Sequence, residues 1–206
     1  MRYTTLRVTE AGVVLHQGHA RRLAPEGGAA LLAFRDFAAA AAPGVYALRW
    51  DGERLEVQAR PGSRLFDGMP VRFLPSPLAV AAGAIAKPAP PGPYAVVRAD
   101  GVATLLGSPD GGEIWESCAA AVVSCDATGR LVLVPDDRPR VASVAEAALA
   151  AALPHVRAPI LAGGAAPLLL VNAVKGACRV AAPGRAPFPD AIAAAVDAAL
   201  AATARR

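Results

Sequence analysis

The alternation of hydrophobic and polar residues predicts two antiparallel hairpins near the start of the chain. Their four strands cover residues 2–9, 13–16, 45–50 and 54–59. The pairs Ala11-Gly12 and Asp51-Gly52 supply the turns. Between the hairpins, residues 27–42 are rich in alanine and end at Pro43-Gly44, which favours a helix. The order β-β-α-β-β is therefore expected, followed by a further strand at residues 71–74.

The pattern changes after residue 75. Residues 75–93 are rich in Pro, Gly and Ala, which is typical of a linker between two lobes, and a short helical piece is expected at residues 94–98. Ser143 precedes Glu146 by three residues, the spacing of a capping box at a helix start. Strands and two helices are predicted over the rest of the chain, the strands at 102–106, 113–116, 120–125, 131–134, 168–172 and 177–181, and the helices at 143–153 and 189–202.

Composition limits the class of protein. The 206 residues are 54% hydrophobic, enough for a substantial core. No apolar stretch reaches the roughly 18 to 20 residues that span a bilayer, and the start lacks the apolar core of a signal peptide, so we expect a cytoplasmic protein with no membrane contact. The net charge of +4 is spread along the chain, which does not favour nucleic acid as a partner and is compatible with a small anionic substrate.

Cysteine usage gives no sign of a metal site. Cys118, Cys125 and Cys178 are odd in number, lack metal-ligand spacing and lie in apolar stretches, so buried thiols in a reducing compartment are expected. An enzyme with Cys118 as nucleophile is an alternative. It is disfavoured because no histidine lies near Cys118 in the sequence.

Lysine is rare in this chain. Lys87 and Lys175 are the only lysines among 21 basic residues, and the rest are arginines. Lysine can lose its proton and bond to a carbonyl carbon, whereas arginine cannot. Random replacement of surface lysines by arginine would also leave a few. Lys87 precedes Pro88, which favours extended backbone over helix.

Five segments carry a family pattern. They are Thr4-Thr5-Leu6-Arg7-Val8, His19-Ala20-Arg21-Arg22-Leu23, Lys87 with Tyr94 and Arg98, residues 114–121, and residues 170–176. In this order they resemble the fold-type IV pyridoxal-phosphate enzymes, the class IV aminotransferases and aminodeoxychorismate lyases. The resemblance implies a two-lobed α/β (α+β) fold with a shortened N-terminal lobe at residues 1–80 and a larger lobe at 81–206. It also implies a homodimer that binds pyridoxal 5'-phosphate between the lobes.

The resemblance assigns roles to individual residues. Lys87 would attach to the cofactor and move the proton at the substrate Cα, and Glu116 would keep the pyridine nitrogen protonated. Arg22 would bind the phosphate together with the helix start at Ser143. His19 would orient the Arg22 segment, and Lys175 would be structural. The implied cofactor-binding residues are Arg22, Lys87, Tyr94, Glu116, Ser143, Asn172 and Ala173.

The sequence also departs from the family pattern. Ala121 replaces an asparagine, and Val141-Ala142-Ser143 stands in place of Gly-Ile/Val-Thr. The size of the chain and residues 115–120 favour the lyase that makes 4-aminobenzoate and pyruvate, a step of folate biosynthesis. An aminotransferase for a small branched-chain or D-amino acid is the alternative. The departures favour a third possibility, a non-catalytic member of the family.

Overall fold

The computed structural model describes residues 1–78, 81, 83–89 and 92–205. The N-terminal part is a four-stranded antiparallel sheet in the order β2-β1-β3-β4 with two helices on one face. Its elements are β1 (Arg2–Thr9), β2 (Gly12–Val13), α1 (His16–Leu23), α2 (Gly28–Ala40), β3 (Gly44–Trp50) and β4 (Leu55–Arg60).

The two faces of the four-stranded sheet have different environments. Leu6 and Leu48 are fully buried against Leu23 of α1 and Phe34 of α2. Alternate residues of β1 point the other way, and Tyr3 on this second face lines a cleft. The hairpin of β3 and β4 and the helix α2 are confirmed close to their predicted bounds.

The return strand predicted at residues 13–16 is wrong beyond Val13. Leu15 has a φ of 59°, the left-handed conformation, and caps a helix that begins at His16. This helix buries His19, Ala20 and Leu23 on one face. The observed order is therefore β-β-α-α-β-β, because the extended backbone ends at Leu15.

The second sheet has nine strands in the order β12-β10-β9-β14-β15-β5-β7-β8-β13. They are β5 (Met69–Pro75), β7 (Ala103–Gly107), β8 (Glu113–Ser117), β9 (Ala121–Cys125), β10 (Leu131–Leu133), β12 (His155–Arg157), β13 (Ile160–Leu161), β14 (Leu169–Asn172) and β15 (Gly176–Ala181). A separate parallel pair joins β6 (Ala84–Ile85) to β11 (Arg140–Val141). The predicted strands of this region are all present, and β6, β11, β12 and β13 were not predicted because each has only two or three residues.

Both faces of the nine-stranded sheet are apolar. Leu169 packs with Leu149 of α3 (Val144–Ala152) and Val196 of α4 (Asp190–Ala201). The adjacent Leu170 points to the other face and joins Leu105 in a second core. Both helices are confirmed, since each begins and ends within a residue of its predicted bounds.

β5 lies before the predicted lobe boundary at residue 80, yet it pairs with β15 and β7 in the second sheet. The division of the chain into two lobes remains a prediction. α1 of the first sheet contacts α3 of the second. No helix within the described ranges is long and apolar enough to cross a membrane.

Candidate active site

A cleft of about 460 Å³ lies where the second face of the four-stranded sheet meets the nine-stranded sheet. The structure brings all the residues named as cofactor-binding from the sequence to the walls of this one cleft, namely Arg22, Lys87, Tyr94, Glu116, Ser143, Asn172 and Ala173. They come from six separate segments of the chain. Lys175 is not among the residues that line the cleft, so Lys87 is the lysine that lies at the candidate site.

Lys87 reaches the cleft from non-helical backbone just after β6, as the following proline predicts. Its side chain is half-buried, and Nζ lies 5.3 Å from the centroid of the Tyr3 ring. Burial, with smaller contributions from the positive charges of Arg22 and Arg98, lowers the pKa of Lys87 to about 8. No carboxylate within the described part of the chain pairs with Nζ. About a tenth of the amine is therefore neutral and nucleophilic near pH 7, far more than for a lysine with the usual pKa.

Glu116 is the buried carboxylate of the cleft, only 4% exposed. Its Oε1 accepts a hydrogen bond from the Tyr94 hydroxyl at 2.5 Å, and its Oε2 accepts one from the backbone N–H of Val141 at 2.9 Å. Burial raises the pKa of Glu116 to about 7 although both hydrogen bonds oppose this shift. Burial and the Glu116 carboxylate also raise the pKa of Tyr94. The tyrosine therefore stays protonated and donates.

A β-bulge directs Glu116 into the cleft. The pairing of β7 and β8 shifts between Leu106 and Gly107, so that Leu106 faces Glu116 while Gly107 faces Ile114. Trp115 is the extra residue. Ile114 and Trp115 consequently both pack in the second core, and Glu116 points to the opposite face. A Cβ at position 107 would come within 1.7 Å of the Glu113 carbonyl oxygen, so the bulge requires glycine there.

The other end of the cleft is suited to an anion. Arg22 on α1 donates a hydrogen bond to the carbonyl of Ala142, and burial lowers the pKa of its guanidinium to about 10. Ser143 caps α3, because its Oγ accepts from the N–H of Glu146 at 3.2 Å. The positive end of α3 and the Arg22 charge thus meet beside residue 142.

Asn172 shapes the floor of the cleft. Its Oδ1 accepts from the backbone N–H groups of Val174 at 2.9 Å and Lys175 at 2.7 Å, and its Nδ2 donates to the Ala119 carbonyl at 3.0 Å. The side chain therefore closes the turn after β14. Ala173, buried within this turn, lines the cleft beside it. The Nζ of Lys175 lies 3.9 Å from Asp67.

Positive charge exceeds negative charge around the cleft. Arg60 at the end of β4, Arg64 and Arg98 line it in addition to the residues named above. Asp100 pairs with Arg64 at 2.8 Å, whereas Arg60 and Arg98 form no ion pair with any residue that the structure describes. Sequence reasoning missed Arg60, at the exposed end of β4, and Arg64, in the loop before β5, because an exposed arginine at either position has no distinctive pattern.

His19 and Cys118 are both poor candidates for chemistry. His19 is fully buried, and its Nδ1 shares a hydrogen bond with Thr4 Oγ1 at 2.7 Å, which ties α1 to β1. Burial, with the charges of Arg22 and Lys87, holds the pKa of His19 well below its usual value. Cys118 lines the cleft half-buried, and burial raises the pKa of its thiol. It therefore lacks the thiolate character of a cysteine nucleophile.

Comparison with known proteins places the fold. No protein-family model and no curated protein matches the sequence. A hypothetical aminotransferase from Mycobacterium tuberculosis, in its PLP-bound form, is 20% identical, with 98% of this chain and 89% of that chain covered and a TM-score of 0.66. The 4-amino-4-deoxychorismate lyase from Pseudomonas aeruginosa is 18% identical, with 96% and 88% covered and a TM-score of 0.64.

A fold IV-transaminase from Curtobacterium pusillum is also similar, at 18% identity, with 98% of this chain and 84% of that chain covered and a TM-score of 0.59. These similarities extend over nearly the whole chain. The chain therefore has the mixed α/β fold of the fold-type IV proteins, as its motifs predicted.

Proposed function

We propose that this protein is a pyridoxal-phosphate enzyme, a lyase that converts aminodeoxychorismate into 4-aminobenzoate and pyruvate. One observation carries the proposal. The amine of Lys87, with a pKa of about 8, shares a single cleft with the buried carboxylate of Glu116 and the cation of Arg22. An amine, a carboxylate and a fixed cation are the groups that the aldehyde, the ring nitrogen and the phosphate of the cofactor require.

The residues present fit the cofactor. Arg22 and the first N–H groups of α3 would hold the phosphate. Glu116 would accept a hydrogen bond from the protonated ring nitrogen and so keep the proton there, and Lys87 would bind the aldehyde carbon. When bound, pyridoxal phosphate supplies an electron sink for charge that develops at the substrate carbon bearing the amino group.

The chain itself contributes proton transfer and orientation. A lysine whose pKa lies near 8 can both accept and release a proton near neutral pH, which suits Lys87 to move the proton at the substrate carbon. Tyr94 and the N–H of Val141 fix both oxygens of Glu116. This orientation is present before any ligand binds, which lowers the cost of holding the carboxylate against a cationic ring.

The excess of cations favours the lyase over a branched-chain aminotransferase. Aminodeoxychorismate carries two carboxylates, and Arg60 and Arg98 line the cleft without ion-pair partners among the described residues. A branched-chain amino acid has one carboxylate and an apolar side chain, which arginines do not match. The lyase reaction would place the protein in folate biosynthesis.

Two alternatives have their own support. An aminotransferase for a small amino acid is consistent with the structural similarity to aminotransferases. A non-catalytic member of the family is consistent with Ala121, which lines the cleft where the family pattern has asparagine, and with the altered turn at residues 141–143. The retained Lys87, Arg22 and Glu116 favour an active enzyme.

Cofactor attachment is tested by borohydride reduction of the protein loaded with pyridoxal phosphate. We expect a visible absorption band, then a pyridoxyl group fixed on Lys87 in peptide mass mapping. Lys87→Arg should abolish the label, and Lys175→Arg, the same change at the only other lysine, should leave it intact. A label on Lys175, or none, would refute the proposal.

The reaction is tested with aminodeoxychorismate and no added keto acid. The lyase should release pyruvate and return the cofactor to its aldehyde form in every cycle. If a simple amino acid converts the bound cofactor to its pyridoxamine form, and aminodeoxychorismate releases no pyruvate, the protein is an aminotransferase. Unchanged spectra with both substrate classes would favour the non-catalytic member.

The proposal includes a cytoplasmic homodimer. Phe66, Phe73 and Val96 are large apolar side chains that remain exposed, and burying them against a second copy would stabilise a dimer. Sedimentation equilibrium of the loaded protein should give twice the mass of one chain, and a monomer would count against this part of the proposal.

A further inference from the structure

A buried ion pair joins the two ends of residues 140–146, which are called the 140–146 segment below. Arg140 and Glu146 are each 3% exposed. Arg140 Nη1 lies 2.7 Å from Glu146 Oε2, and Arg140 Nη2 lies 2.8 Å from Oε1. Arg157 Nη1 also donates to Oε1 at 2.8 Å. The desolvation of such charges is costly, and apolar residues of the same volume are often at least as stabilising. Fold stability alone therefore gives a weak reason for this arrangement.

The residues between the paired charges make three contacts at the cleft. Val141 donates its N–H to Oε2 of Glu116 at 2.9 Å, and Ala142 accepts a hydrogen bond from Arg22 through its carbonyl. Ser143 caps α3. One short segment thus sets the position of the carboxylate, the cation and the helix N-terminus, which are the three parts of the proposed cofactor site.

The two ends of the 140–146 segment are held differently: Ala145, at its α3 end, packs in the first core beside Leu149, whereas its β11 end has few backbone contacts. Its strand β11 pairs only with the two residues of β6, in the part of the chain that the structure describes. Arg157 connects the ion pair of the segment to the nine-stranded sheet. Arg157, at the end of β12, donates to both the Val134 carbonyl, at 2.6 Å, and Glu146. Arg140 Nη2 lies 3.4 Å from the same carbonyl.

We propose that Arg140 and Glu146, supported by Arg157, are positioning residues that hold the 140–146 segment in its cofactor-binding conformation. The inference rests on the proposed function for the identity of the ligand. The placement of the segment itself is a property of the protein before any cofactor binds, and can be measured separately.

The test compares Arg140→Met, Glu146→Leu and the double variant with the wild-type protein. Arg157 keeps its contacts with Val134 and with Asp136, at 3.0 Å, when Glu146 is absent. The control is Arg130→Met, which removes a surface ion pair with Asp126, at 2.9 Å, away from the cleft. Three quantities are measured: the urea unfolding of the cofactor-free protein, the hydrogen exchange of the Val141 amide, and the dissociation constant for pyridoxal phosphate.

Arg140→Met removes one of the two arginines that pair with the buried Glu146, and Glu146→Leu leaves the buried Arg140 with only the 3.5 Å contact to the exposed Asp136 among the described carboxylates. Each single variant should therefore unfold at lower urea concentration. The double variant removes both charges and should recover the wild-type midpoint. Its Val141 amide should nevertheless exchange at least about tenfold faster, and its dissociation constant for the cofactor should rise by about tenfold, as happens when groups that orient a ligand-binding residue are removed. The control should match the wild type in all three measurements.

The inference would be overturned if the double variant had the Val141 exchange rate and the cofactor affinity of the wild type. It would also be overturned if, across the wild type, the two single variants and the double variant, the loss of cofactor affinity simply followed the loss of stability. If the double variant does not fold, Glu146→Gln, which keeps the side-chain shape, replaces it under the same criteria. A wild-type protein that does not bind pyridoxal phosphate would refute the proposed function, and the exchange rate of Val141 would still decide the positioning role.

Discussion

The Tyr94 hydroxyl donates to Oε1 of Glu116 at 2.5 Å, so a tyrosine from the segment after Lys87 orients the buried carboxylate of β8. This hydrogen bond stabilises the charged form of Glu116 and opposes the effect of burial. The protonation state of the carboxylate therefore depends on a residue that lies in a different part of the chain.

Tyr94→Phe should raise the pKa of Glu116 above its value of about 7, because the charged form loses one donor while its burial is unchanged. Carbon NMR of the glutamate-labelled, cofactor-free protein measures the titration. Tyr46→Phe is the matched control, since the Tyr46 hydroxyl donates to the Ala42 carbonyl away from the cleft. An unchanged or lower pKa in Tyr94→Phe would show that the hydrogen bond does not stabilise the carboxylate.

Glu116 should also make the stability of the cofactor-free protein depend on pH. Its folded pKa of about 7 lies above the ordinary glutamate pKa of 4.5, so the folded protein binds the proton more tightly than the unfolded chain does. The contribution of Glu116 is fully favourable below about pH 4.5 and is lost as pH rises through 7. Between pH 5 and pH 8 the unfolding free energy should therefore fall more in the wild type than in Glu116→Gln, by roughly 2 kcal/mol. Urea unfolding at the two pH values measures the difference, and equal slopes would contradict it.

Lys87 should titrate well below the usual pKa of a lysine. Reductive methylation with labelled carbon gives one NMR signal for each of the two lysines, and that of Lys87 should titrate near pH 8. Arg98→Met should raise the pKa of Lys87, because it removes a neighbouring positive charge. Arg130→Met, at a surface position away from the cleft, should leave it unchanged. An equal shift in both variants would contradict this account of the lysine.

Arg22→Met should weaken the binding of pyridoxal phosphate by about tenfold to a hundredfold, the range expected for loss of a hydrogen bond to a charged group. Pyridoxal lacks the phosphate, so its affinity should change little. Arg21→Met changes the neighbouring exposed arginine of α1 and should bind both ligands as the wild type does. Equal losses for the two ligands in Arg22→Met would place Arg22 away from the phosphate.

The sequence predicted the elements whose cause is local. The hairpin of β3 and β4 and the cap at Ser143 depend on neighbouring residues, and the structure contains both. The helix α1 was not predicted as an element. It begins after Leu15, which adopts the left-handed conformation, and a leucine gives no sequence signal for such a turn.

Long-range contacts within the site were beyond sequence reasoning for a physical reason. Glu116 belongs to β8 of the nine-stranded sheet and Val141 to the separate pair of β6 and β11, so their contact depends on how that pair packs against the sheet. The pair of Arg140 and Glu146 is close in sequence, yet its burial depends on β10 and β12. The motifs predicted which residues belong to the candidate site, whereas the contacts of each residue depend on tertiary packing.

Because the bulge between β7 and β8 requires Gly107, the direction of the Glu116 side chain on β8 depends on a residue of the neighbouring strand β7. An alanine at position 107 would push the Glu113 carbonyl away and disrupt the bulge. In a regular pairing of β7 and β8 without the bulge, the side chain of residue 116 would point to the same face as Ile114, into the second core. The glutamate would remain in the sequence while its carboxylate left the cleft. Any homologue used to infer function should therefore be compared at residue 107 as well as at residue 116, because an intact acid motif without that glycine need not present its acid to a ligand.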